Sequence, residues 1–146
     1  MGASRAEIKR FFFEKPREGS GYETGPLHII YGDGSEVVQT LPPLKPKDIF
    51  NAVGFSGVKL AEDRQTLGWE VDIEGCCTSY SIPATVVVFR RRRVLHRFSD
   101  EQGGAPMVRG WKFVRGGKRV EIDFGPIHGE GGETRLYDVA TGSLIR

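Results

Sequence analysis

Short runs of alternating apolar and polar residues, each closed by a tight glycine-containing turn, recur along this chain. The last of them, T-R-L-Y-D-V-A-T-G-S-L-I-R at residues 134–146, shows the layout: L-Y-D-V and S-L-I flank a turn on A-T-G. The same arrangement appears at residues 27–41 and 85–98. A period of two sends successive side chains to opposite faces, which suits a strand and not a helix. Glycine, at 20 of 146 residues, is about twice its usual ~7%, and with 8 prolines it predicts many turns and few long helices. The chain is long enough to bury roughly 68–70% of its unfolded surface as one domain, so no disulfide or metal is needed to hold it.

Five hairpins can be placed in order. L-H-I-I-Y-G-D-G-S-E-V-V-Q-T-L carries an Asp-Gly turn, a strong hairpin signal because a primed turn needs positive φ. Residues 57–73 form a second, in which Leu67, Trp69, Val71 and Ile73 alternate with Thr66, Gly68, Glu70 and Asp72. The unbroken run T-V-V-V-F at 85–89 predicts a central strand buried on both faces, paired through Arg90–Arg93 with V-L-H-R-F. Met107–Val114 and Lys118–Phe124 turn around R-G-G, with Trp111 and Phe113 expected in the core, and residues 134–146 close the series. P-P-L-K-P at 42–46 is a stiff connector, and residues 48–53 could make one helical turn. At the N-terminus, residues 4–13 admit two readings. One is a short helix capped by Ser4 with Ile8, Phe11 and Phe12 on one face, and the other is an extended aromatic arm. The expectation is a single all-β domain of about ten short strands: residues 1–26 form the arm or helix and residues 27–146 a core of antiparallel meanders.

Residues 57–98 and 107–146 each run hairpin, long loop, hairpin, with Asp72 and Asp123 at matching positions and Thr85 matching Thr134. A four-stranded unit recurring at about 40–50 residues is the signature of propeller blades. L-Y-D-V-A-T-G-S-L-I-R resembles the third strand, turn and fourth strand of WD-repeat and TolB-type blades, and V-K-L-A-E-D-R-Q-T-L-G-W resembles the opening of a TolB-type blade. Arg64 stands where that pattern has glycine, and the second unit has R-G-G at its turn. About 2.5 such units cannot close a ring of the usual four to eight blades. That leaves stacking of the units face to face, closure by oligomerisation, or a piece of a larger ring, and the expectation is a sandwich or partial barrel of blade-like meanders, which needs no partner.

Candidate sites are few. Arg90, Arg91, Arg92 and Arg93 are the densest charge, and guanidinium forks match phosphate oxygens. A net charge of +2 and pI near 8.6 fall short of a nucleic-acid binder's usual excess, making nucleic acid the less favoured partner. Cys76 and Cys77 with His128 lack the spacing of a zinc site, so no metal is assigned. Ser79 or Cys76 as nucleophile would need a histidine and an orienting carboxylate, and His28 and His96 sit inside strands. His128, in a glycine-rich loop beside Glu130 and Glu133, is the remaining centre for a hydrolase or metal reading. No phosphate-binding glycine motif is present.

The favoured reading is a non-catalytic protein-binding or assembly module, with no catalytic residues and no cofactor. Its surfaces would be Phe11, Phe12 and Phe13, the loops at 74–83 and 125–133 with Tyr80 and His128, and edge strands able to pair with a second copy. The alternative is a nucleic-acid or anionic-ligand binder using Arg90–Arg93. No window approaches the ~18 apolar residues of a membrane helix, and no signal peptide is visible. A complete chain would then be cytoplasmic.

Overall fold

A computed structural model describes residues 6–15, 21–42, 50–75, 81–100, 107–126 and 129–146. Within them lie ten strands: β1 (Ile8–Phe13), β2 (Leu27–Tyr31), β3 (Glu36–Gln39), β4 (Phe50–Leu60), β5 (Thr66–Gly75), β6 (Ile82–Arg90), β7 (Arg93–Phe98), β8 (Met107–Val114), β9 (Arg119–Gly125) and β10 (Glu133–Asp138). A 3-10 turn, Arg115–Gly117, joins β8 to β9. The strands form three antiparallel sheets, β1-β2-β3, β4-β5-β6-β7 and β10-β9-β8, and within each sheet neighbouring strands are neighbours in sequence. The fold is an all-β sandwich of meanders, and the described residues form no closed barrel.

Burial explains the layering. On β6, Val87 and Phe89 join a core with Ile8, Leu27, Ile29, Tyr31, Leu67 and Trp69, between the first and second sheets. Val86 and Val88 point the other way, into a second core with Val108, Trp111, Val120, Ile122 and Phe124 of the third sheet. The middle sheet is thus covered on both faces, and β6 is the doubly buried strand that its apolar run predicts. The polar face of β5 is covered as well: Thr66 is buried, and Asp72 is only 6% exposed. Gly68 permits this approach, because a Cβ there would lie 2.5 Å from Trp111 Cη2 and 2.9 Å from Phe113 Cζ.

Two local expectations are corrected. The N-terminal helix reading gives way to β1, which pairs with β2 from Ile8↔Tyr31 to Phe13↔Leu27. A helix of about ten residues is marginal in water without tertiary support. As a strand with a register shift after Ile8, the segment instead buries Ile8 and packs Phe11 and Phe13 on the core. Likewise the helical turn at 48–53 is replaced from residue 50 by β4; residues 43–49 lie outside the described part. The closing hairpin forms as a single bridge, Tyr137↔Leu144, supported by Asp138 N–H donating to Ser143 O (2.9 Å) and Ile145 N–H to Leu136 O (2.7 Å). No helix among the described residues is long and apolar enough to cross a membrane.

Candidate functional site: a cationic cleft where the hairpin turns meet

In a meander, alternate turns lie at the same end. Here the β2–β3, β4–β5, β6–β7 and β8–β9 turns and the turn after β10 are tied together at one end. Arg90 Nη2 donates to Gln65 Oε1 (3.3 Å), Arg92 Nη2 to Ser35 Oγ (2.5 Å), and Val139 N–H to Lys118 O (2.9 Å). Gly117 sits against the β4–β5 turn so closely that a Cβ would lie 2.8 Å from Ala61 Cβ and 3.0 Å from Asp63 Oδ2.

Two aspartates hold these turns in shape. Asp63 accepts from Gln65 N–H (2.9 Å), Thr66 N–H (3.0 Å) and Thr66 Oγ1–H (2.8 Å). Asp138 accepts from Thr141 N–H (2.9 Å) and Thr141 Oγ1–H (3.1 Å). The Thr141 backbone bond is the main cause of an Asp138 pKa below the usual carboxylate value, which keeps this side chain ionised at neutral pH.

The β6–β7 turn is built from arginine where other residues fit better. Arg90 pairs with Arg93, and the two residues between them, Arg91 (φ 55) and Arg92 (φ 67), are both left-handed. Two-residue turns of this kind favour Asn-Gly or Asp-Gly, because a Cβ in the left-handed region costs roughly 1–2 kcal/mol per residue. Arg64 (φ 58) and Arg115 (φ 52) occupy the same region in the β4–β5 and β8–β9 turns. Among the described residues every non-glycine with positive φ is therefore an arginine, and each lies in a turn at this end.

Some of these cations work as staples. Arg92 stacks 4.2 Å from the Tyr31 ring centroid and reaches Ser35 and Asp33 on the β2–β3 turn. Arg64 lies 3.7 Å from Glu7, and Arg90 reaches Gln65 with its Nε 4.0 Å from Asp63. Arg91, Arg93 and Lys118 have no ion-pair or hydrogen-bond partner for their cationic groups among the described residues. With Asp63, Arg90, Leu95, Gly116, Gly117, Asp138, Val139 and Ala140 they line a cleft of about 550 Å³. Four cations against two carboxylates leave this lining with a net charge of +2.

Phe11 and Phe13 face the core, while Phe12, 38% exposed, stacks on His28 at 4.9 Å. Tyr80, His128, Cys76 and Cys77 lie outside the described residues. Both ring nitrogens of His28 bond carboxylates, Nδ1 to Glu36 and Nε2 to Glu14 (3.1 Å); the Glu36 bond, then the Glu14 bond, push its pKa up. His96 Nε2 lies 3.3 Å from Ala140 O.

The sequence reading missed one cluster. Glu70 and Asp72, adjacent on one face of β5, share the hydroxyl of Ser56, whose Oγ is 3.0 Å from Glu70 Oε2 and 2.6 Å from Asp72 Oδ1. Burial is the main reason both carboxyl pKa values are raised. Lys59 approaches from β4, donating to Trp111 O with its ammonium 4.7 Å from the Trp111 ring centroid. The only sequence trace of this burial is Gly68, two residues before Glu70 on the same face.

Neither a protein-family model nor a curated protein matches this chain.

Proposed function

We propose that this chain is a non-catalytic β domain that binds an anionic ligand in the cleft between the β6–β7 turn and the β8–β9 turn. Arg91 carries the reading. It takes a left-handed conformation that arginine adopts at a cost, and its guanidinium meets no partner among the described residues. Arg92 beside it is explained by its staple to Tyr31 and Ser35, but Arg91 has no such structural return. Backbone strain held without an internal partner is characteristic of binding sites. Arg93 and Lys118 supply further cationic donors on the same cleft.

The test is calorimetric titration of the chain with pyrophosphate at fixed ionic strength. Arg91→Asn, which keeps a residue tolerant of positive φ, combined with Arg93→Ser, is expected to weaken binding at least tenfold. Unchanged affinity in this variant would sink the proposal.

A second reading, assembly through a sheet edge, is favoured by Leu144 and Ile145, which are 58% and 42% exposed on the run paired with β10. Exposed strand edges are natural templates for pairing with another chain. Light scattering at increasing concentration tests it: self-association that Leu144→Lys abolishes supports this reading, and a monomer throughout refutes the homo-oligomer. The resemblance to propeller blades supports the proposal that β4–β7 and β8 to the C-terminus are two copies of one blade-like unit.

A further inference from the structure

We infer that the ligand of the cleft is a small organic phosphate monoester with an apolar carbon part, an inference that rests on the anion-binding reading. Three observations narrow the class. The first is charge. Arg90 lies against Asp63, so Arg91, Arg93 and Lys118 face Asp138 alone, again a net charge of +2. A phosphate monoester carries about −1.5 to −2 at neutral pH and neutralises that excess.

The second is the arrangement of the cations. Four consecutive arginines suggest a basic stripe, but two of the four are engaged within the fold. Arg92 is turned to Tyr31 and the β2–β3 turn, and Arg90 to the β4–β5 turn. What remains is a pair of guanidiniums, Arg91 and Arg93, with Lys118 on the β8–β9 turn. A guanidinium matches two phosphate oxygens with its planar fork, and a lysine adds a point charge. Such a group suits one phosphate, whereas a nucleic-acid strand needs cations repeated along its backbone.

The third is the shape and floor of the cleft. A volume of about 550 Å³ lies within the usual ~300–1,000 Å³ of small-molecule sites. Leu95, Val139 and Ala140 form an apolar wall on the same cleft as the cations. Inorganic phosphate would leave that wall uncovered, and an organic monoester would cover it.

The experiment titrates the full chain with inorganic phosphate, phenyl phosphate and a ten-nucleotide oligothymidylate at one pH and ionic strength. Phenyl phosphate is expected to bind at least tenfold more tightly than inorganic phosphate, and at least as tightly as the oligonucleotide. Leu95→Thr is expected to narrow the gap between phenyl phosphate and inorganic phosphate, with thermal unfolding confirming the fold. Equal affinity for phenyl and inorganic phosphate overturns the organic-monoester inference and leaves anion binding standing. An oligonucleotide tenfold tighter than phenyl phosphate overturns it in favour of nucleic acid. If pyrophosphate and all three probes fail to bind, both readings fall.

Discussion

Replacing Asp72 with asparagine is expected to stabilise this protein at neutral pH and to flatten part of its pH dependence. One Ser56 hydroxyl lies within hydrogen-bond distance of both Asp72 and Glu70, yet it carries a single proton. If Ser56 donates to one carboxylate, the other close contact is favourable only when that carboxyl group is protonated and donates to Ser56. Burial acts in the same direction, raising both pKa values; for Glu70 the negative charge of Asp72 adds to it, while Ser56 and Lys59 oppose it. The folded chain therefore keeps a proton that the unfolded chain has released at the same pH. Stability contributed by the pair is full below the unfolded carboxyl value of about 4 and is lost as pH rises through the raised folded value. Across that window one retained proton gives a slope of about −1.4 kcal/mol per pH unit. Asparagine removes one of the two charges and supplies an amide donor. Asp72→Asn is thus expected to gain on the order of 1–2 kcal/mol over the parent at pH 7 and almost nothing at pH 4. Urea unfolding followed by tryptophan fluorescence at pH 4, 5.5, 7 and 8 reads the difference directly, and subtracting the parent curve removes the other carboxylates. A variant destabilised equally at pH 4 and pH 7 would refute the shared-proton argument.

Gly68→Ala would drive a Cβ into Trp111 and Phe113 between the second and third sheets, an overpacking expected to cost about 1–3 kcal/mol by urea unfolding. Adjacent arginines should differ in sign: Arg92→Ala loses its Tyr31 and Ser35 contacts and destabilises by about 1 kcal/mol. Arg91→Asn relieves left-handed strain and stabilises by roughly 0.5–1 kcal/mol, both measured by chemical denaturation. His28 is expected to titrate above its ordinary value in an NMR pH series, and Glu36→Gln should lower its pKa more than Glu14→Gln, following the order of the two bonds. Equal shifts from the two substitutions would contradict that order.

Much of the fold was legible because strands write their burial at short range. The alternation of Leu67, Trp69, Val71 and Ile73 marks one face of β5, and the continuous T-V-V-V-F marks β6 as buried on both sides. The hairpin pairings of β2 with β3, β4 with β5, β6 with β7 and β8 with β9 follow from runs separated by turns. The N-terminal segment was ambiguous because Ile8, Phe11 and Phe12 fit a helical face. The free edge of β2, which decides for a strand, is distant in sequence. Of the cleft, Arg90–Arg93 could be found as a charge run. Its division into staples and free cations could not, since Arg92 meets Ser35 across 57 residues and Arg90 meets Gln65 across 25.

The sequence by itself determined an all-β chain of antiparallel hairpins, because a period of two and the φ requirements of tight turns are local properties of neighbouring residues. Tertiary structure alone decided that the middle sheet is covered on both faces, that the half-buried Glu70 and the buried Asp72 share one hydroxyl, and that the turns converge on a cationic cleft. These features depend on how one sheet packs against another, and sheet packing joins residues whose separation in sequence carries no periodic signal.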